Sequence, residues 1–234
     1  MKTLKSITTL ILVLLFSTTI YANDVTTKRI TKITVQGEEY TYNYTLSYDA
    51  QGRITKVVPD NSEIFGITKC EYTKKTFRIY KNDIFVSCSL NKHGYIINSK
   101  DGDFPIMLIG DIYYNEKGQL LSIRNGDEKM LFKWENGDMV KINFENEQIN
   151  VSYTSLENKN QFGLFLKIEE ENCTPVFPYY SLLGKATRHL PASIGQGEEK
   201  ISYNYKIDED GFVTEITMIY PNNSKTVFYR FSYE

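Results

Sequence analysis

Two histidines, three cysteines and a few acidic clusters are the residues of this chain whose types could do chemistry. A catalytic histidine needs a partner within hydrogen-bond reach. His93 lies in a turn-like stretch and reads as a solvated residue. His189 lies in an irregular stretch, where it is a candidate ligand-binding residue set against a structural role. Asp208-x-Asp210-Gly211 matches part of a calcium loop, but a full loop needs more oxygen ligands and a terminal Glu at fixed spacing. Glu169-Glu170-Glu171 could supply an acid for glycoside hydrolysis, which needs two carboxyl groups across the scissile bond; a charge run is more often a solvated loop. No H-E-x-x-H, G-x-S-x-G, P-loop or dinucleotide fingerprint is present. These residues together predict a protein that is not an enzyme, with no cofactor and no metal.

Cys70, Cys88 and Cys173 are an odd set. Cys70 and Cys88 fall on strands separated by a third, a distance of about 9–10 Å, whereas a disulfide needs Cα atoms within about 7 Å. A bridge would more readily use Cys173, and three buried or inert thiols serve equally well. The tyrosines carry the candidate binding surface. Tyr40, Tyr42, Tyr44 and Tyr48 form one row, and Tyr203 and Tyr205 a second with Tyr229 and Tyr233; Tyr179 and Tyr180 stand in the irregular stretch beside His189. A tyrosine offers an apolar body with a polar tip, which suits a glycan, an apolar ligand or an envelope protein. Core packing and cross-strand pairing explain such rows as well.

The elements that position these residues are β-hairpins. Tyr48-Asp49-Ala50-Gln51-Gly52-Arg53-Ile54 sets Asp at the first and Gly at the fourth position of a turn. Asn91–Gly94, Asn115–Gly118 and Asp208–Gly211 repeat that spacing, and Asn136-Gly137 is a shorter version. Asp and Asn accept a bond from the backbone two residues on, and Gly tolerates the positive φ that closes such a turn. Between the turns apolar and polar residues alternate: Tyr40, Tyr42, Tyr44, Leu46 and Tyr48 against Thr41, Asn43, Thr45 and Ser47. Period two puts the aromatics on one face of a sheet. A content of 18 Tyr and 13 Phe against one Trp agrees with an all-β fold. The expected architecture is a single curled antiparallel meander of tandem hairpins, an open or partly closed barrel-like sheet, with a short helical or irregular capping segment.

Residues 1–22 read as a signal peptide: Lys2 and Lys5, the apolar run Leu10–Phe16, and a small residue at Ala22. The apolar run is shorter than the roughly 20 residues a membrane-spanning helix needs, so no spanning segment is expected after signal removal. Taking Lys2 and Lys5 from a balance of 27 basic and 29 acidic residues leaves the mature chain acidic, which argues against nucleic acid. Residues 23–234 form one expected domain. The hairpin pattern breaks over 155–199, where Pro175 and Pro178 exclude a central strand and Phe177–Gly184 suits one or two helical turns ended by glycine. Such a segment is either a functional lid or an apolar cap over one end of the sheet.

Leu182-Leu183-Gly184, Arg188-His189-Leu190-Pro191 and the hairpin Tyr203–Ile216 resemble a family of secreted Bacteroidetes proteins of unknown function described as having a porin-like fold. The resemblance implies a curled antiparallel sheet and no known activity, so it carries over no catalytic residue. Many members have a lipoprotein Cys after the signal, and this chain has none there, which implies a periplasmic or released protein. The function expected is an exported β-sheet module with a binding or structural role at the cell envelope. The alternatives are an integral outer-membrane β-barrel and a hydrolase using acids of the 155–199 segment.

Overall fold

The computed structural model describes residues 28–82, 84–99, 110–144, 147–160, 182–221 and 224–234. Its strands are β1 (Ile30–Gln36), β2 (Thr41–Tyr48), β3 (Ile54–Pro59), β4 (Thr68–Tyr72), β5 (Thr76–Lys81), β6 (Ile84–Leu90), β7 (Ile96–Ser99) and β8 (Gly110–Tyr114). They continue as β9 (Leu120–Asn125), β10 (Glu128–Glu135), β11 (Asp138–Phe144), β12 (Glu147–Glu157), β13 (His189–Ile194), β14 (Ile201–Ile207), β15 (Val213–Ile219) and β16 (Thr226–Tyr233). One helical turn, α1 (Ser62–Phe65), joins β3 to β4. Each strand pairs antiparallel with its sequence neighbours, and β1 pairs with β16, with Ile33 opposite Phe231, so the sheet closes into a barrel. Closure leaves no unpaired strand edge, which is the physical gain over an open curled sheet.

Five turns of closely similar sequence lie at one end of the barrel, and four of them share one chemistry. Asp49 Oδ1 accepts bonds from the backbone N–H groups of Gln51 and Arg53 at 2.9 and 3.0 Å. Asn91 does the same for His93 and Tyr95, Asn115 for Lys117 and Gln119, and Asp208 for Asp210 and Phe212. The fourth-position glycines adopt φ of 77, 82, 78 and 83° at Gly52, Gly94, Gly118 and Gly211. Asn136 and Gly137 are both at positive φ, 51 and 93°, the combination a two-residue hairpin turn requires. Beyond each of these five turns the register slips. Such bulges sharpen the right-handed twist that lets the wall curl.

The strand alternation sorts side chains between inside and outside. Tyr42, Tyr44, Leu46 and Tyr48 face the core, while Thr41, Thr45 and Ser47 are exposed. Ile33, Phe77, Ile96, Leu190, Val213 and Met218 are fully buried at 0% exposure, and inward residues from around the ring form one apolar cluster. A round barrel of sixteen strands encloses an aqueous channel in porins; here apolar side chains occupy the interior. The irregular stretch is shorter than expected. β12 runs on to Glu157, and His189–Ile194 is a strand that accommodates Pro191 opposite Tyr153 at a register irregularity.

Candidate functional site

The tyrosines at the turn ends of the strands face inward and serve the wall. Tyr48 donates its hydroxyl to the Ile30 carbonyl (2.6 Å), Tyr72 to Ile54 (3.0 Å), Tyr114 to Ile96 (2.6 Å), Tyr153 to Met139 (2.7 Å) and Tyr205 to Pro191 (2.6 Å). Tyr233 donates to Val213, and the Trp134 indole N–H to Leu120 at 2.7 Å. The cause is visible in the registers. β3 pairs with β4 only at Lys56 and Val57, and β7 with β8 only at Asn98 and Ser99, so the carbonyls of Ile54 and Ile96 lie past the end of the ladder. A buried carbonyl needs a donor, and the aromatic at the turn end of the next hairpin supplies it. At the β5–β6 junction the ladder runs its full length and the position is Leu90, whose own N–H donates to the Lys75 carbonyl at 2.8 Å.

Burial pushes the Tyr48 phenol up to about 12. It also raises those of Tyr72, Tyr114, Tyr153, Tyr205 and Tyr233. All are neutral donors at ordinary pH. Tyr44 and Tyr203 are 2% and 4% exposed, so both lie in the core, and the Tyr203 hydroxyl has no hydrogen-bond partner among the described residues. Tyr40 stacks on Tyr42 with ring centroids 5.1 Å apart, and Tyr42 meets Phe65 edge-on at 5.0 Å. Burial of this kind supports the packing reading of both tyrosine rows over a binding surface. Tyr179 and Tyr180 lie outside the described residues, as do Cys173 and Glu169–Glu171.

His189 acquires a partner that the sequence did not single out. Asp138, 7% exposed, places Oδ2 2.7 Å from His189 Nδ1 and accepts the His189 backbone N–H on Oδ1 at 2.9 Å. The carboxylate fixes the imidazole at the start of β13 and ties that strand to the Asn136-Gly137 turn. Asp138 directly follows that turn and precedes Met139 and Val140, a local oddity for an acid, but nothing in the sequence connects it to a residue 51 positions on. The segment between β12 and β13 continues the tie. The Lys185 N–H donates to the Gly118 carbonyl at 2.8 Å and the Arg188 N–H to Gly137 at 3.0 Å. Gly184, at φ +97°, lies so close to the β8–β9 turn that an added Cβ would stand 2.6 Å from the Gly118 oxygen. Together with buried Leu183 and Leu190, these residues lie across the turn end of the barrel. A short capping segment is therefore present over residues 182–188, ahead of β13; the rest of the expected helical turns lies outside the described residues.

The acidic turn at Asp208 is occupied by a cation of the chain itself. Lys28 Nζ stands 2.7 Å from Asp208 Oδ2 and 2.6 Å from Asp210 Oδ2, clasping the start of the described chain to the β14–β15 turn. The Lys28 ammonium holds the Asp208 carboxyl below the usual carboxylate range. His93 is an exposed turn residue. Cys70 and Cys88 are buried on the strands flanking β5, opposite Ile79 and Phe77, as the meander required. Among the described residues no three His, Cys, Asp or Glu side chains converge as metal ligands.

The outer wall is polar over β14–β16 and β1–β2, whereas Phe85, Ile97, Tyr113, Leu121 and Leu131 are exposed apolar side chains on β6–β10. Across β14, β15 and β16, Lys206, Glu215 and Arg230 form a continuous row with ion pairs of 2.6 and 2.7 Å. Arg230 extends it to Gln36 at 2.7 Å, and Thr34, Asn43 and Asp60 carry hydrogen bonds on across β1 and β2. Lys206 and Arg230 hold the Glu215 carboxyl below its ordinary range.

No curated protein matches the chain. Among solved structures, it is similar to a porin-like protein from Bacteroides uniformis ATCC 8492, with 17% identity, 88% of this chain and 98% of that chain covered, and a TM-score of 0.62. A porin-like protein from Bacteroides vulgatus ATCC 8482 aligns at 15% identity over 88% of this chain and 99% of that chain, with a TM-score of 0.46. The first likeness agrees with the fold alone. The model of the domain of unknown function with porin-like fold (DUF4595) matches residues 46–215, and the chain belongs to that family.

Proposed function

We propose that the protein is an exported, water-facing β-barrel module with a non-catalytic binding or structural role at the cell envelope. The observation that supports this reading is the sidedness of the wall: inward apolar side chains form one core cluster, and the ion-paired Lys206–Glu215–Arg230 row lies on the outside. A transmembrane barrel needs the reverse, an outward apolar band about 25 Å tall and a polar interior. The sequence features that read as a signal peptide support export. His189 is engaged with Asp138 in joining a strand to a turn, which supports a structural role for the residue most suited to catalysis.

The test is expression of residues 23–234 without detergent, followed by size exclusion and by flotation with phospholipid vesicles. Monodisperse protein that stays at the bottom of the gradient is expected. A requirement for detergent, or conductance steps in a planar bilayer, would establish the outer-membrane barrel instead.

A further inference from the structure

One row on the outer wall differs from the ion-paired row across β14–β16. On β3 and β4, Lys56 stands directly opposite Lys69; Lys69 stands opposite Tyr80 on β5; and Tyr80 stands opposite Phe85 on β6. The inward residues beside them, Val57, Cys70, Ile79 and Val86, are in the core, so alternation sends all four of these side chains outward. Phe85 is 47% exposed, and its ring lies 5.1 Å from that of Tyr80. The Tyr80 hydroxyl is held by Glu71 Oε2 at 3.0 Å, which fixes the phenol on the wall. Neither lysine makes an ion pair or hydrogen bond among the described residues.

Two features of this row cost free energy in the unliganded barrel. Like charges directly opposite each other on a sheet repel, and an exposed phenyl ring is apolar surface left in water. Both costs fall with one kind of occupant. A carboxylate between two ammonium groups gains charge-assisted hydrogen bonds from each. The apolar face of a sugar ring covers an aromatic ring, and tyrosine suits such contacts. Strands about 4.8 Å apart spread the row over about 14 Å from β3 to β6, room for a short stretch of an extended chain. We propose that Lys56, Lys69, Tyr80 and Phe85 form a binding row for an acidic polysaccharide, with its carboxylates at the lysines and its sugar rings on the aromatics. This inference rests on the water-facing reading of the wall and names the class of ligand that wall takes.

The probe is polygalacturonate, with dextran as the neutral control and single-stranded DNA and anionic phospholipid vesicles as competing polyanions. Binding to the detergent-free barrel is followed by affinity electrophoresis and calorimetry. The expected result is salt-sensitive binding to polygalacturonate and none to dextran. The double variant K56Q/K69Q and Phe85→Ala should each weaken binding roughly tenfold, equivalent to about 1.4 kcal/mol. Phe85→Ala alters an exposed ring and so serves even where the double variant folds poorly. No binding by monodisperse protein, unchanged affinity in both variants, or equal binding to DNA or vesicles would overturn the proposal. Those outcomes are distinct from failure of the water-facing reading, which would show as detergent dependence before any ligand is added.

Discussion

Two inward tyrosines, half-buried Tyr114 and buried Tyr203, have opposite expected effects when the hydroxyl is removed. Tyr114 gives its O–H to the Ile96 carbonyl, which lies past the end of the β7–β8 ladder. Tyr114→Phe leaves that carbonyl without a partner and should cost about 1–3 kcal/mol. The Tyr203 hydroxyl is buried and unpartnered among the described residues, so Tyr203→Phe removes a desolvated polar group at no loss of a bond and should be neutral or stabilising. Urea denaturation midpoints of the two variants give the comparison; equal destabilisation would contradict both assignments. Neither difference was legible in the sequence, where both residues are inward tyrosines near strand ends. What separates them is whether a ladder happens to stop at the neighbouring strand, which is a matter of register.

At the scale of the element, the turns were the most legible part of the chain, because their geometry is set by four consecutive residues. Asp208 and Gly211 occupy their positions for the reasons local chemistry gives, and the same bonds recur at Asp49, Asn91 and Asn115. Gly52→Ala forces a side chain to φ 77° with only Arg29 nearby, so about 1 kcal/mol of backbone strain is expected. Gly184→Ala should cost more, because the new Cβ would also meet the Gly118 carbonyl and the Tyr114 ring. Thermal melts of the pair test this: a Gly184→Ala loss no larger than that of Gly52→Ala would mean that the capping segment does not dock on the β8–β9 turn. The cap itself was legible as a break in the hairpin pattern. The turns it lands on were not, since Gly118 and Gly137 lie many residues away from Lys185 and Arg188.

For the whole molecule, the charges and buried phenols predict how stability depends on pH. Asp208 and Glu215 have carboxyls depressed by Lys28 and Lys206. A depressed carboxylate contributes stability that is present above its unfolded-state pKa and lost as pH falls through the folded one. The melting temperature should therefore hold at neutral pH and fall below the ordinary carboxylate range, and Asp208→Asn should flatten that acid limb. Tyr48 is raised from 10.0 to about 12. Its neutral form is favoured in the fold, so its contribution is intact below pH 10 and is lost as pH rises towards 12. Phenolate absorbance should lag the ordinary tyrosine range and then rise with unfolding. Spacing along the chain was enough for the hairpins, the turn residues, the placing of the aromatics on one shared face and the family resemblance, because each depends on residues within one or two strands. Only the tertiary structure decided that the sheet closes, that β1 meets β16, that His189 finds Asp138, and that two lysines and two aromatics stand side by side on the outer wall. Those relations arise from register between strands, which fixes neighbours across the sheet that no spacing along the chain records.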